Sequence, residues 1–280
     1  MVSPIPPNND IEHSVWVKNW GTLPDPNNLP QGVNTINIFE GKIDYVNGKW
    51  TIDGLIWPQA LLSQYIDACH AKGIAVKISI GGAGGQAIYN NTWDQLTDSN
   101  VQDVANGLAA FCKANGLDGI DFDYEEQKSD DQRRQVGELI GFFKQADSSL
   151  QASVCTDAGN DGTGSYPWAQ DLAQILDAAK NPDGSSAVDR IYVMSYDFGG
   201  QNLQDDENFM LHWKTFAAQY GIDPAHISIG VDPTDPTMSQ ADKDKFIKFA
   251  YQNGFSTGMW DQMDYNEGNY TMWVFNEYGP

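Results

Sequence analysis

Apolar residues fall along this chain in two alternating rhythms. Short β-rich runs recur as "SVWV" (14–17), "VNTINIF" (33–39), "IAVKISI" (74–80), "LDGIDFDY" (117–124), "LQASVC" (150–155), "RIYVMSY" (190–196), "HISIGV" (226–231) and "STGMW" (256–260). Most are separated by longer segments of helical period, clearest at 57–71, 99–114, 129–147, 166–180, 207–220 and 239–253, with a last helix expected near 270–278. Several helices stop in the same way. "ACHAKGIAV", "FCKANGLDG" and "AYQNGFSTG" each place Gly just past the last turn, where a left-handed residue ends a helix cheaply, and a strand follows.

Strand, helix, glycine, strand is the repeat of a parallel sheet. Eight such repeats in 280 residues predict an α/β fold, a single (β/α)8 barrel of the TIM type without an inserted domain. An open doubly wound sheet is the competing arrangement. Residues 1–12 read as an N-terminal tail and 13–280 as the barrel domain. One detour follows the second strand: "KIDYVNGKWTID" (42–53) alternates around Asn47-Gly48, a strong hairpin signal. It is expected on the face formed by the strand C-terminal ends, where such barrels keep their active sites.

Composition narrows the partners. The net charge is −22, with Lys and Arg scattered, so nucleic acids and anionic membranes, which need a cationic surface, are poor partners. A neutral substrate fits better. No run approaches the roughly 18 apolar residues of a membrane span. Three cysteines exclude a full disulfide framework, and Cys69, Cys112 and Cys155 read as buried free thiols. The four His are dispersed and no Cys/His cluster has zinc-ligand spacing, so neither a metal nor another cofactor is expected. "MVSPIPPNND" lacks the charged start and apolar run of a signal peptide. The chain is therefore expected to be secreted with its export signal absent from this sequence, or else cytoplasmic, and to act as a monomer.

The fourth run carries the chemistry. In "GLDGIDFDYEEQ" (116–127), strand alternation puts Asp121, Asp123 and Glu125 on one face and Ile120, Phe122 and Tyr124 on the other. The apolar set belongs against helices, so the acidic set points into the barrel and climbs towards its mouth. Two carboxylates about 6 Å apart repel by about 3 kcal/mol at an effective dielectric near 20, or around two pKa units. At least one of the three should therefore hold a proton near neutral pH, as a general acid must. Asp118 has the wrong parity and is assigned to structure. Glu126 faces away and reads as a surface charge.

"DGIDFDYE" resembles the D-G-x-D-x-D-x-E signature of the family 18 glycoside hydrolases, the chitinases and endo-β-N-acetylglucosaminidases. "SIGG" (79–82), "MSYD" (194–197) and "GMW" (258–260) stand at the ends of the third, sixth and eighth strands, as in that family. The resemblance implies a retaining, endo-acting chitinase that cleaves β-1,4-linked N-acetylglucosamine polymers, with chitin or its oligosaccharides as partner. It implies Glu125 as the acid that protonates the glycosidic oxygen. The substrate's own 2-acetamido oxygen would then attack, giving an oxazolinium ion. Asp123 would orient that acetamido group, Asp121 would be its charge partner with Ser79 nearby, and Tyr196 would hydrogen-bond the acetamido oxygen. Asp197 would contact the same sugar, Trp260 would floor the pocket, and Gly81 and Met194 would complete the binding residues, Met194 more by packing than by chemistry. An endo-β-N-acetylglucosaminidase acting on N-glycan cores, and a sugar-binding lectin of the same fold, are the alternatives.

Trp20, Tyr89, Trp93, Tyr166 and Trp168 follow strand ends and either stack on sugar rings or pack, while Trp213 and Trp273 read as core. Lys77 is unusual. It shares parity with Ser79, so it is expected to point into the barrel and to pair with a carboxylate, Asp121 being the expected partner; the alternative is a local twist that aims it between helices.

Overall fold

In the computed structural model the eight apolar runs become the staves of one closed sheet. The structure describes residues 11–18, 23–29, 32–82, 92–125, 129–157, 167–196, 203–232 and 238–259. Strands β1 (His13–Lys18), β2 (Thr35–Val46), β4 (Ala75–Gly81), β5 (Gly119–Asp123), β6 (Gln151–Asp157), β7 (Arg190–Met194), β8 (Ile227–Val231) and β9 (Ser256–Met259) pair in parallel. Strand β1 pairs with both β2 and β9, which closes the barrel. The connecting helices are α1 (Gln59–His70), α2 (Val101–Asn115), α3 (Asp130–Ala146), α4 (Pro167–Ala178), α5 (Leu203–Ala218) and α6 (Gln240–Asn253). This is the (β/α)8 barrel that the repeats predict. The helix expected near 270–278 lies outside the described residues.

The alternation along each strand sorts the molecule into two layers. Outward residues such as Ile78, Ile80, Ile120 and Phe122 are buried against helix residues such as Val104, Leu108, Val136 and Phe143. Phe122 meets Phe143 edge to face at 5.7 Å. Each fully buried side chain of this size contributes about 1.5–3 kcal/mol, so the outer layer carries the stability. The inner face is different. It holds a small separate cluster, Trp16, Phe39, Cys155 and Tyr192 with Met194 against it, and a larger set of polar side chains. Cys69, Cys112 and Cys155 are free and buried.

At the N-terminal end of the sheet Asp118 faces outward, as its parity predicts. Its carboxylate accepts from the Val76 amide at 2.7 Å and stands 2.7 Å from His70 Nε2, so it ties α1 and β4 to the start of β5. This acid is structural.

The Asn47-Gly48 hairpin forms between β2 and β3 (Lys49–Asp53), with Val46 opposite Lys49. It leaves the C-terminal end of β2, yet it leans outward onto α2 instead of lying over the barrel mouth. Ile43 and Ile52 are buried, and Gln95 Nε2 donates to the Ile43 carbonyl at 2.6 Å. The cause is close contact with α2. A Cβ on Gly107 would come within 2.5 Å of the Trp50 carbonyl, so only glycine lets the hairpin seat its apolar face there.

Candidate active site

Register places the site before any side chain is considered. Across β4 and β5, Ser79 stands beside Asp121 and Gly81 beside Asp123; across β5 and β6, Asp121 stands beside Ser153 and Asp123 beside Cys155. Asp121 is fully buried, and both its oxygens are covered: Ser79 Oγ donates to Oδ2 at 2.8 Å and Ser153 Oγ to Oδ1 at 3.0 Å. Burial pushes its pKa up, opposed by Lys77 and by the two hydroxyls. Asp123 is buried one step higher, and Glu125, two residues beyond, is half-buried just past the end of β5. Strand alternation thus delivers the ladder anticipated from the sequence, with its top member the most open.

Backbone geometry fixes the middle rung. Gly81 has φ +106°, and the Asp123 carbonyl accepts from the Gly82 amide at 3.0 Å. A Cβ on Gly81 would lie 2.2 Å from that carbonyl and 2.7 Å from the Trp93 ring. Trp93 itself is buried, packed against Tyr124 at 5.9 Å between ring centroids. It forms a wall behind the acidic strand. Tyr124 in turn donates to Gln132, whose amide donates to Asp94, so the outward face of this strand end is held by α3.

Tyr196 follows β7 by two residues. Burial, with Cys155, Asp123, Glu125 and Asp232 around it, pushes its phenol well above the ordinary value, so it is a neutral donor among carboxyls. The Cys155 thiol is likewise pushed well up, by burial and by Asp123, Asp121 and Glu125. A small pocket, with a cavity volume of about 10 Å³, opens between Trp16, Cys155, Met194, Tyr196, Gly230 and Gly258. Met194 packs on the inner cluster and also lines this pocket.

Below the ladder the sequence reading needs one correction. Lys77 does point inward and is fully buried, but its carboxylate partner is Glu12, at 3.9 Å, and not Asp121. Its ammonium donates to the Tyr192 hydroxyl and, at 3.3 Å, to Ser153 Oγ. Tyr192 donates to Glu12, and Arg190 Nε stands 3.1 Å from the same carboxylate. Glu12 is buried because its backbone is already part of the closing seam: its amide donates to Ser256 Oγ at 2.7 Å and its carbonyl accepts from Thr257 at 2.9 Å. The boundary of a tail at residue 12 hid this acid. Ser153, Cys155, Arg190 and Tyr192 were findable by parity, since each shares the inward face of its strand.

Asp197, Trp260, Trp20, Tyr89, Tyr166, Glu126 and Trp273 lie outside the described residues, as does the side chain of Trp168. Trp213 is core, as expected. Among the described residues, no group of three His, Cys, Asp or Glu side chains could hold a metal ion.

A sequence profile for the glycosyl hydrolases family 18 matches residues 33–277. The chain belongs to that family. No curated protein matches this family 18 chain significantly. Among solved structures it is similar to a family 18 chitinase from Pseudoalteromonas aurantia, at 18% identity and a TM-score of 0.73, over 95% of this chain and 99% of that one. It is also similar to a chitinase-like agglutinin from Robinia pseudoacacia, at 14% identity and a TM-score of 0.69, over 94% and 98% of the two chains. Active domain 2 of a thermostable chitinase from Pyrococcus furiosus follows, at 13% identity and a TM-score of 0.69, over 91% and 84%. At these identities the likeness establishes the barrel of this family 18 protein and leaves its chemistry to its own residues.

Proposed function

We propose that the protein is a retaining, endo-acting chitinase working by substrate-assisted catalysis. The observation that carries this reading is the acidic strand: two buried carboxyls stacked beneath a half-exposed Glu125, with the Tyr196 phenol among them. Glu125, the most open of the three, donates its proton to the glycosidic oxygen as the C1–O bond breaks. The 2-acetamido oxygen forms a new bond to C1 from the opposite face, and the resulting positive charge spreads over the oxazolinium ring. Asp123 faces that charge and accepts from the acetamido N–H, while the neutral Tyr196 donates to the acetamido oxygen and holds it for attack. The small, mainly apolar pocket beside Tyr196 is where the acetamido methyl would lie. Water then opens the ring at C1, returning a proton to Glu125, and the β configuration is kept.

A lectin remains a reading worth testing, because one structural neighbour is an agglutinin. The intact Asp121, Asp123 and Glu125 favour the enzyme. An endo-β-N-acetylglucosaminidase would use the same ladder on N-glycan cores. Incubation with N-acetylglucosamine oligomers and, separately, with a high-mannose glycopeptide distinguishes these readings. Internal cleavage of the oligomers, with β-anomeric products in the first NMR spectra, is expected. Cleavage of the glycopeptide alone, or binding without cleavage, would overturn the chitinase.

A further inference from the structure

The buried polar set beneath the acidic strand holds more cation than its own carboxylate needs. Arg190 Nε already stands 3.1 Å from Glu12, and Tyr192 donates to the same group. Lys77 reaches Glu12 only at 3.9 Å and is fully buried, a second positive charge for one acid. The other groups facing it do not supply a second anion. His13 points to Thr257 and Tyr251, and Asp189 is taken by Lys144 at 2.8 Å. An uncompensated charge in such a site costs several kcal/mol. The next acid is Asp121. Lys77 Nζ donates to Ser153 Oγ at 3.3 Å, and Ser153 Oγ donates to Asp121 Oδ1 at 3.0 Å, so one hydroxyl bridges ammonium and carboxylate.

We propose that Lys77 is a positioning residue for the proton shared along the acidic strand: standing below the ladder and bridged to it through Ser153, its ammonium favours charge on Asp121 and so drives the proton upward to Asp123 and Glu125. The inference rests on the proposed function for its purpose, since a proton at the top of the ladder is the one a leaving sugar can take. Electrostatics supports the geometry. Burial lowers the pKa of Lys77, with Glu12 and then Asp121 opposing it; burial raises that of Asp121, with Lys77 the first opponent. Each is the other's counterweight. Distance supplies the direction, because Lys77 acts on the lowest rung more strongly than on those above. With Asp121 charged, the remaining carboxyls hold their proton to higher pH.

The test is a carbon-13 carboxyl titration of the substrate-free protein by NMR, with Asp121→Asn and Asp123→Asn assigning the resonances, alongside pH profiles of kcat/KM on N-acetylglucosamine oligomers. In Lys77→Met the Asp121 carboxyl should titrate about 1–3 units higher, as expected on losing an opposite charge nearby. The alkaline limb of the rate profile should move down by about one unit, and Lys77→Arg should restore both. Lys77→Gln, which keeps a donor towards Ser153 but removes the charge, should shift both in the same direction, and it serves if Lys77→Met does not fold. An Asp121 titration unchanged in Lys77→Met, or in Lys77→Gln where only that variant folds, would reduce Lys77 to a counter-ion of Glu12, and so would an alkaline limb that moved up. A Lys77-dependent titration in a wild-type protein that cleaves no sugar would uphold the proton placement and sink the enzymatic reading.

Discussion

Replacing Gly81 by Ala adds one methyl group at the most crowded point of the site. The backbone there has φ +106°, a region L side chains rarely adopt, and holding a non-glycine residue in such a conformation costs of order 1–3 kcal/mol. The methyl would also stand 2.2 Å from the Asp123 carbonyl and 2.7 Å from Trp93 Cζ2. Neither neighbour can yield easily: the carbonyl accepts from the Gly82 amide, and Trp93 is buried against Tyr124. Overpacking of this kind adds about 1–3 kcal/mol. The expected loss is therefore about 2–6 kcal/mol, the sum of the two effects. Urea unfolding followed by tryptophan fluorescence reads it directly. With a slope near 3 kcal/mol per molar, the midpoint should fall by roughly 0.7–2 M. Because the displaced carbonyl belongs to Asp123, turnover of N-acetylglucosamine oligomers should fall further than the folded fraction does. A midpoint within about 0.2 M of wild type would refute the reasoning, for it would mean that β4 and β5 separate at this rung without cost.

Among the other expectations, Glu125→Gln removes the titrating proton while keeping shape, and should cut kcat on oligomers by about 10²–10⁴ with binding largely kept. Steady-state kinetics should place Asp123→Asn close to it and Tyr196→Phe above both; near wild-type turnover by Glu125→Gln would defeat the mechanism. For pH, burial depresses His13 to about 4 from an ordinary value near 6.5, with Arg190 helping and Glu12 opposing. The unfolded chain then binds the extra proton first, so this histidine's contribution to stability is complete above about pH 6.5 and is lost as pH falls to about 4. His13→Gln should flatten the stability curve across that window by up to about 3 kcal/mol, and equal slopes in the two proteins would rule the effect out. Asp118→Ala strands the Val76 amide and His70, and should cost about 2–4 kcal/mol in denaturant titrations while leaving the kcat of the folded fraction unchanged.

Periodicity carried most of the barrel. The eight runs are strands, and alternation within "DGIDFDYE" sorted Asp121 and Asp123 from Ile120 and Phe122, because a strand buried on both faces obeys a strict two-residue repeat. What periodicity cannot carry is pairing across long separations. Ser153 and Cys155 flank the acidic strand only because register aligns β6 with β5, and no local pattern encodes that alignment. Glu12 was hidden for a related cause: its burial depends on Ser256 and Thr257, which close the seam from the far end of the domain. The hairpin was recognisable from Asn47-Gly48, but its lean onto α2 is decided by Gly107, a helix glycine that local reading marks only as a weak helix former. Trp93 shows the same limit, since an aromatic after a strand end faces either solvent or core according to packing alone.

The seam between β1 and β9 also sets a schedule for synthesis. Glu12 and Ser256 meet across a separation of 244 residues, so at about 5–20 residues per second the first strand waits roughly 12–50 s for its last partner to be made. During that interval β1 can pair with β2, but the ring stays open and its hydrogen-bonding edge is exposed. Lys77 and Arg190 are made well before the far end of the seam, so their charges can remain hydrated until closure forces them out of water. Closure thus joins the desolvation of three charged groups to the pairing of the last strand. A nascent chain stalled before residue 256 should be loosely ordered and protease-sensitive through β1, and should tighten in one cooperative step once β9 is free to dock.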